Sequence, residues 1–196
     1  MTKRLGYGTT AKALHWAVVA LLVVQYAIGW LMPDVHGGPP GVPMTWHISI
    51  GTVVLALIVA RFLWRLTHPV APVSSLPAWE RIASEGVHWL LYLLVLLTTL
   101  SGWLFASARG WSVSWFFVAP LPMPTSGDRA LVKMLNGWHQ NFMWALLAVA
   151  ALHVIAALVH LFYYRDGVMH RMLPGEPAGG GFAGSSRIGE LASRPD

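Results

Sequence analysis

The sequence predicts an all-α integral membrane protein, a bundle of four transmembrane helices, and three observations carry that prediction. Of 196 residues, 56% are apolar and only 11% are charged, against about 25% charged in a soluble domain. The mean hydropathy is +0.56. Four stretches with few or no charges are each long enough to cross a bilayer, which takes about 20 apolar residues. This composition excludes a soluble globular enzyme and a disordered chain.

The first span, 13–31, carries no formal charge. It follows a basic start, but its apolar run exceeds the roughly 7–15 residues of a signal-peptide core and no Ala-x-Ala site follows. It reads as a retained helix. His36-Gly37-Gly38-Pro39-Pro40-Gly41 is a turn-rich loop. The second span, 47–64, has Arg61 near its end, and Pro69, Pro72 and Pro77 break the chain after it. The third span, 87–108, and the fourth, 138–164, lack Asp, Glu, Lys and Arg. The fourth is long enough to tilt or to project beyond the hydrocarbon. Between them, 111–133 carries Pro120, Pro122 and Pro124, then Gly127-Asp128. Its Trp111, Trp115, Phe116 and Phe117 suit an interfacial segment, because aromatic rings prefer the headgroup level. Residues 1–175 form one domain. The tail, 176–196, with Gly179-Gly180-Gly181 and Ser185-Ser186, reads as disordered.

Charge sets the expected orientation. Ten of the 13 Lys and Arg residues fall on the side of the N-terminus: Lys3, Arg4, Lys12, Arg61, Arg65, Arg81, Arg165, Arg171, Arg187 and Arg194. Only Arg109, Arg129 and Lys133 fall on the other. The positive-inside rule therefore puts both termini in the cytoplasm. The net charge of +5 faces anionic lipid rather than nucleic acid, because the basic residues flank apolar runs instead of forming one patch.

There is no cysteine, which excludes disulfides, iron–sulfur clusters, thiolate-ligated or covalently attached haem and cysteine-based zinc sites. There are 9 His, and an ionisable residue inside a lipid-embedded bundle is costly and a functional candidate. His139 and His153 are 14 residues apart, about 40° short of four helical turns and about 21 Å along the axis. They share a face at opposite depths. His160 is seven residues further on and shares that face. The fourth span enters from outside at His139, the second enters from outside at His47, and the first starts inside at His15. Depth thus pairs His47 with His139 near the outer surface and His15 with His153 near the inner one. Two stacked bis-imidazole sites can hold two b-type haems. A four-His zinc site is the alternative, against which the 21 Å of rise counts. A proton relay through His153 and His160 is another, and Met143 is a thioether candidate whose competing role is core packing.

Small and cationic residues extend the site. Gly51, one turn after His47, leaves room for a flat macrocycle, and Gly29 lies near the same level; ordinary small-residue packing explains both equally well. Lys12, Arg61 and Arg65 can meet haem propionates, or can simply anchor the inner surface.

These segments together resemble the bacterial cytochrome b561 family over residues 8–174. The resemblance rests on Leu14-His15-Trp16, Trp46-His47-Ile48-Ser49-Ile50-Gly51, Val59-Ala60-Arg61-Phe62-Leu63-Trp64-Arg65-Leu66, Val87-His88-Trp89-Leu90-Leu91-Tyr92, Trp138-His139, Leu152-His153 and Arg171-Met172-Leu173-Pro174. It implies a four-span di-haem b-type cytochrome of the bacterial inner membrane with axial ligands His15, His47, His139 and His153. Some members are superoxide oxidases, passing electrons from periplasmic superoxide through the haems to ubiquinone, with a histidine matching His160 at the quinone. His88 matches a family position that is not axial, and reads as a helix-end or quinone-side polar residue. Arg109, Arg129 and Lys133 can steer a small anion on the outer face. An electron-relay subunit, like the cytochrome b subunits of membrane hydrogenases or formate dehydrogenases, is the second reading, with the Trp-rich outer connection as a docking surface. A His-rich membrane metal carrier is the third.

Overall fold

A computed structural model describes residues 7–33, 38–71, 76–124 and 126–173. The His36-Gly37 part of the first loop, Pro72, the basic residues Lys3, Arg4, Arg187 and Arg194, and the tail 176–196 lie outside the described residues. Four long helices run along the chain: α1 Thr9–Leu31, α2 Val42–Thr67, α3 Ala78–Ala108 and α4 Arg129–Val159. All four are long and apolar enough to cross a membrane. Their outward faces are apolar and open, as at Val23, Leu31, Leu152 and Ile155, which suits helices solvated by lipid rather than water.

The helices are longer than the apolar runs. α3 starts nine residues before 87, because Ala78 to Gly86 (with Glu80 in the first turn) continues the helix in polar sequence. α4 likewise starts at Arg129, where Asp128 caps it by accepting the Leu131 N–H at 2.9 Å. Pro43 opens α2, where its missing N–H costs nothing. α3 ends at Ala108, and beyond its cap Gly110, whose φ of +70° suits a glycine, donates its N–H to the Ser107 carbonyl at 2.9 Å. Beyond Val159, α4 widens into a π-helical turn, His160–Tyr164, followed by a short 3-10 turn, Met169–Arg171.

Backbones pack in series: α1 on α2, α2 on α3 and α3 on α4. Val54, Ile58, Leu94, Val95 and Leu146 form the main core. α1 and α4 are not packed on one another in this way; the Tyr26 hydroxyl bridges them by donating to the Met143 carbonyl at 2.7 Å. At the near end of the bundle, where α1 begins, the segment after α4 folds back. Lys12 Nζ donates to Leu173 O and Trp16 Nε1 to Met172 O, each at 2.9 Å. Arg171 donates to Ala71 O at 2.8 Å.

At the far end, the Trp-rich connection is a small antiparallel hairpin, β1 Ser114–Trp115 paired with β2 Ala119–Pro120. Its base packs onto the bundle. Trp111 and Val113 are buried against Ile48 of α2 and Ala106 of α3.

Candidate functional site: two histidine groups along one bundle

The far-end group is His47 of α2 and His139 of α4. Their ring centres are 6.2 Å apart and their planes perpendicular, at 88°. That separation leaves room for one metal ion bonded at about 2 Å to a nitrogen of each ring. The ring of His139 is held by a bond from Nδ1–H to the Thr98 carbonyl of α3 at 2.9 Å, which fixes the tautomer and leaves Nε2 as an electron-pair donor. His47 Nδ1 is buried with no partner, the condition of a group that awaits one.

Small residues surround the pair. A Cβ added at Gly102 of α3 would stand 2.8 Å from the His139 ring, and one at Gly29 of α1 would touch the His47 ring at 3.7 Å. At Gly51 an added Cβ would meet the Gln25 amide at 3.0 Å. Gln25 Nε2 in turn donates to the His47 carbonyl at 2.8 Å. So Gly51 admits Gln25, which braces the backbone of α2 at His47.

The near-end group is larger than depth pairing alone expects. His15, His88 and His153 are electrostatic neighbours, together with Arg61. The closest rings are His88 and His153, 5.2 Å between centres. His88 therefore lies inside α3 and within the histidine group, not at a helix end. Its 5.2 Å approach to His153 is tighter than the far-end pair allows for an intervening metal. Among the described residues, no three His, Cys, Asp or Glu side chains converge as a metal-ion site.

The cations near this group are tied down. Arg61 Nε donates to the Tyr92 hydroxyl at 2.9 Å and Nη1 to the Ala11 carbonyl at 3.1 Å. Arg65 stacks over Trp89, 5.1 Å from its centre. Lys12 is buried, with its bond to Leu173. All three stand at the near end; Arg61 is an electrostatic neighbour of His15, His88 and His153, and Arg65 of His88.

Beyond this group, His160 opens the π-helical turn. Its Nδ1 lies 2.5 Å from Asp166 Oδ2. Asp166 Oδ1 accepts the Val168 N–H at 3.1 Å, so the carboxylate is fixed by the same turn. Asp166 is missed by helical periodicity because Arg165 adopts a left-handed conformation, φ 52°, and reverses the chain between the two residues. At the opposite end, Arg109, Arg129 and Lys133 line one cavity of about 420 Å³ together with Asp128 and Asn136. Arg109 is packed over Trp111, 4.6 Å from its ring centre. Gln25, Thr98 and Gly102 also escape sequence reasoning. Gln25 carries a signal, as the lone side-chain amide of the first span.

The family model described as "Prokaryotic cytochrome b561" matches residues 6–175. "Cytochrome b561 homolog 2" of Escherichia coli is 28% identical over 170 residues, covering 85% of this chain and 90% of that protein. "Probable superoxide oxidase CybB" of Yersinia pestis is 28% identical over 174 residues, 86% of this chain and 96% of that protein. A "Probable Ni/Fe-hydrogenase B-type cytochrome subunit" of Bradyrhizobium diazoefficiens is 22% identical over 214 residues, 87% of this chain and 84% of that protein. With four membrane-length helices and bacterial relatives, this is a multi-pass protein of the bacterial inner membrane. The chain belongs to the prokaryotic cytochrome b561 family, membrane haem b proteins of electron transfer.

Proposed function

We propose that this protein carries electrons across the membrane from superoxide to ubiquinone, through two haem b groups held by His47 with His139 and by His15 with His153. The carrying observation is that one bundle holds two histidine groups, His47 with His139 and His88 with His153, whose α4 members are about 21 Å of helix apart. Haem iron, when bound, supplies the one-electron chemistry that no side chain here has. Both termini face the cytoplasm under the charge asymmetry, which makes the far end periplasmic.

The residues divide the work by position. Arg109, Arg129 and Lys133 around one cavity give the far end a field that draws a small anion. The Thr98 carbonyl orients His139, and Gln25 orients α2 at His47. At the near end Arg61, Arg65 and Lys12 offer cationic partners for propionates. His160, with Asp166 behind its Nδ1, presents an imidazole at the cytoplasmic interface, where a quinone carbonyl gaining electrons needs a donor and protons. His88, beside His153, serves as a near-end polar neighbour. Two superoxide ions each give up one electron and leave as O2. One quinone takes up the two electrons and two protons and leaves as quinol.

The test is rapid mixing of purified protein with superoxide, then with a ubiquinone analogue. Superoxide should produce the reduced haem spectrum, and the quinone should return it to the oxidised one. Reduction by dithionite but not by superoxide would overturn the donor assignment. A second reading, an electron-relay subunit for a partner dehydrogenase or hydrogenase, is favoured by the exposed apolar hairpin tip at Trp115, Phe117 and Val118.

A further inference from the structure

We propose that the Trp111–Pro122 hairpin is a re-entrant element, seated below the headgroups in the leaflet at the far end, with acyl chains as the partner of its exposed tip. Depth is set by hydrogen bonds to α2. Trp115 Nε1 donates to Thr52 Oγ1 at 3.0 Å, and the Phe116 N–H donates to Ser49 Oγ at 3.0 Å. The ring of Phe116 lies 5.4 Å from that of Trp46 and packs against the main core. Ser49 and Thr52 are seven and ten residues into a helix of 26, about 10 and 15 Å along its axis. Such a helix is about 39 Å long and the hydrocarbon about 30 Å thick. If α2 is centred in the bilayer, these anchors lie roughly 6–10 Å below the hydrocarbon boundary.

Four further observations fit lipid rather than water. No residue from Gly110 to Gly127 has an ionisable side chain. At the tip, Phe117 and Val118 are 52% and 85% exposed. The tip's N–H groups have partners within the protein, which lowers the cost of placing this backbone in lipid: Phe117 N–H bonds Ser114 O at 3.2 Å and Val118 N–H bonds Trp115 O at 3.0 Å. Phe116 and Phe117 both have positive φ, 47° and 64°, where a water-exposed hairpin would place Asn-Gly. Burying two phenyl rings, one in the core and one in acyl chains, offsets that strain. The Ser49 and Thr52 hydroxyls gain a partner on a face of α2 turned away from His47.

The chain has no cysteine, so Val118→Cys gives one site for a nitroxide label. In proteoliposomes of phosphatidylethanolamine and phosphatidylglycerol, haem content verifies folding. Collisions with lipid-soluble O2 should dominate over those with a water-soluble nickel chelate, as at Val154→Cys on the open face of α4. Ser126→Cys, exposed in the same connection, should show the reverse. Phe117→Cys repeats the measurement at a second tip position. Nickel-chelate access at 118 matching that at 126 would overturn the proposal. So would shielding from both reagents, the result for a tip covered by a second protein.

Discussion

His139 donates its Nδ1 hydrogen to the Thr98 carbonyl across 2.9 Å, and this bond leaves Nε2 as the electron-pair donor of a ring whose centre is 6.2 Å from that of His47. A helix carbonyl can accept this bond while keeping its own helical partner, so α3 orients a ring on α4 without losing its own ladder. The rest of the far-end site follows from that orientation. The His47 ring stands beside that of His139, and Gly102 leaves the His139 ring its place.

Gly102→Val should therefore damage the far-end site selectively. Its Cβ would fall 2.8 Å from the His139 ring, and overpacking of this kind costs about 1–3 kcal/mol. The expected outcome is loss of one haem with the other spectrally intact. A variant that keeps both haems with unshifted bands would show that Gly102 does not shape the site.

Ligand substitutions should separate by depth. His47→Ala and His139→Ala should empty the far-end site and spare the near-end haem, and His15→Ala and His153→Ala should do the reverse. His88→Ala should retain both haems, because 5.2 Å to His153 leaves too little room for an iron between those rings. Haem content and low-temperature spectra of the five variants check this. Loss of the near-end haem in His88→Ala with retention in His15→Ala would exchange their roles.

The cationic cavity gives a salt-dependent prediction. Arg129→Glu with Lys133→Glu reverses two of its three positive charges. Reduction by superoxide should slow by about tenfold at low salt, within the range of electrostatic steering. The gap to wild type should shrink toward 1 M salt, where the screening length is about 3 Å. A gap that does not respond to salt would mean that the substitutions act by another route.

His160→Ala should keep both haems reducible from the far end. It should slow reoxidation by a ubiquinone analogue by about tenfold, or about 1.4 kcal/mol of transition-state stabilisation. Asp166→Asn keeps the imidazole but removes its carboxylate partner, and should fall between wild type and His160→Ala. Stopped-flow traces of haem reoxidation measure both, and a wild-type rate in His160→Ala would remove this residue from the quinone site.

The helices were legible because lipid demands long apolar runs, but their ends were not. α3 extends back to Ala78 through Trp79-Glu80-Arg81, a polar turn that costs nothing outside the hydrocarbon and leaves no hydropathy signal. His47 and His139 were legible together because helical rise fixes depth. His88 is not at a helix end because α3 extends back to Ala78, and its place beside His153 was not legible because depth says nothing of how α3 is rotated about its axis. The hairpin was hidden for another reason. Its two turn residues are Phe116 and Phe117, which carry no turn signal and reach positive φ through tertiary contacts. Asp166 follows a left-handed Arg165, so no periodic pattern ties it to His160.

The central claim is that two imidazole pairs hold two haems in one chain, and haem stoichiometry tests it most directly. A pyridine haemochrome assay on purified protein, with chain concentration from amino-acid analysis, should give about two haem b per chain under bis-histidine ligation. A value near one, or none, would contradict the pairing of His47 with His139 and of His15 with His153.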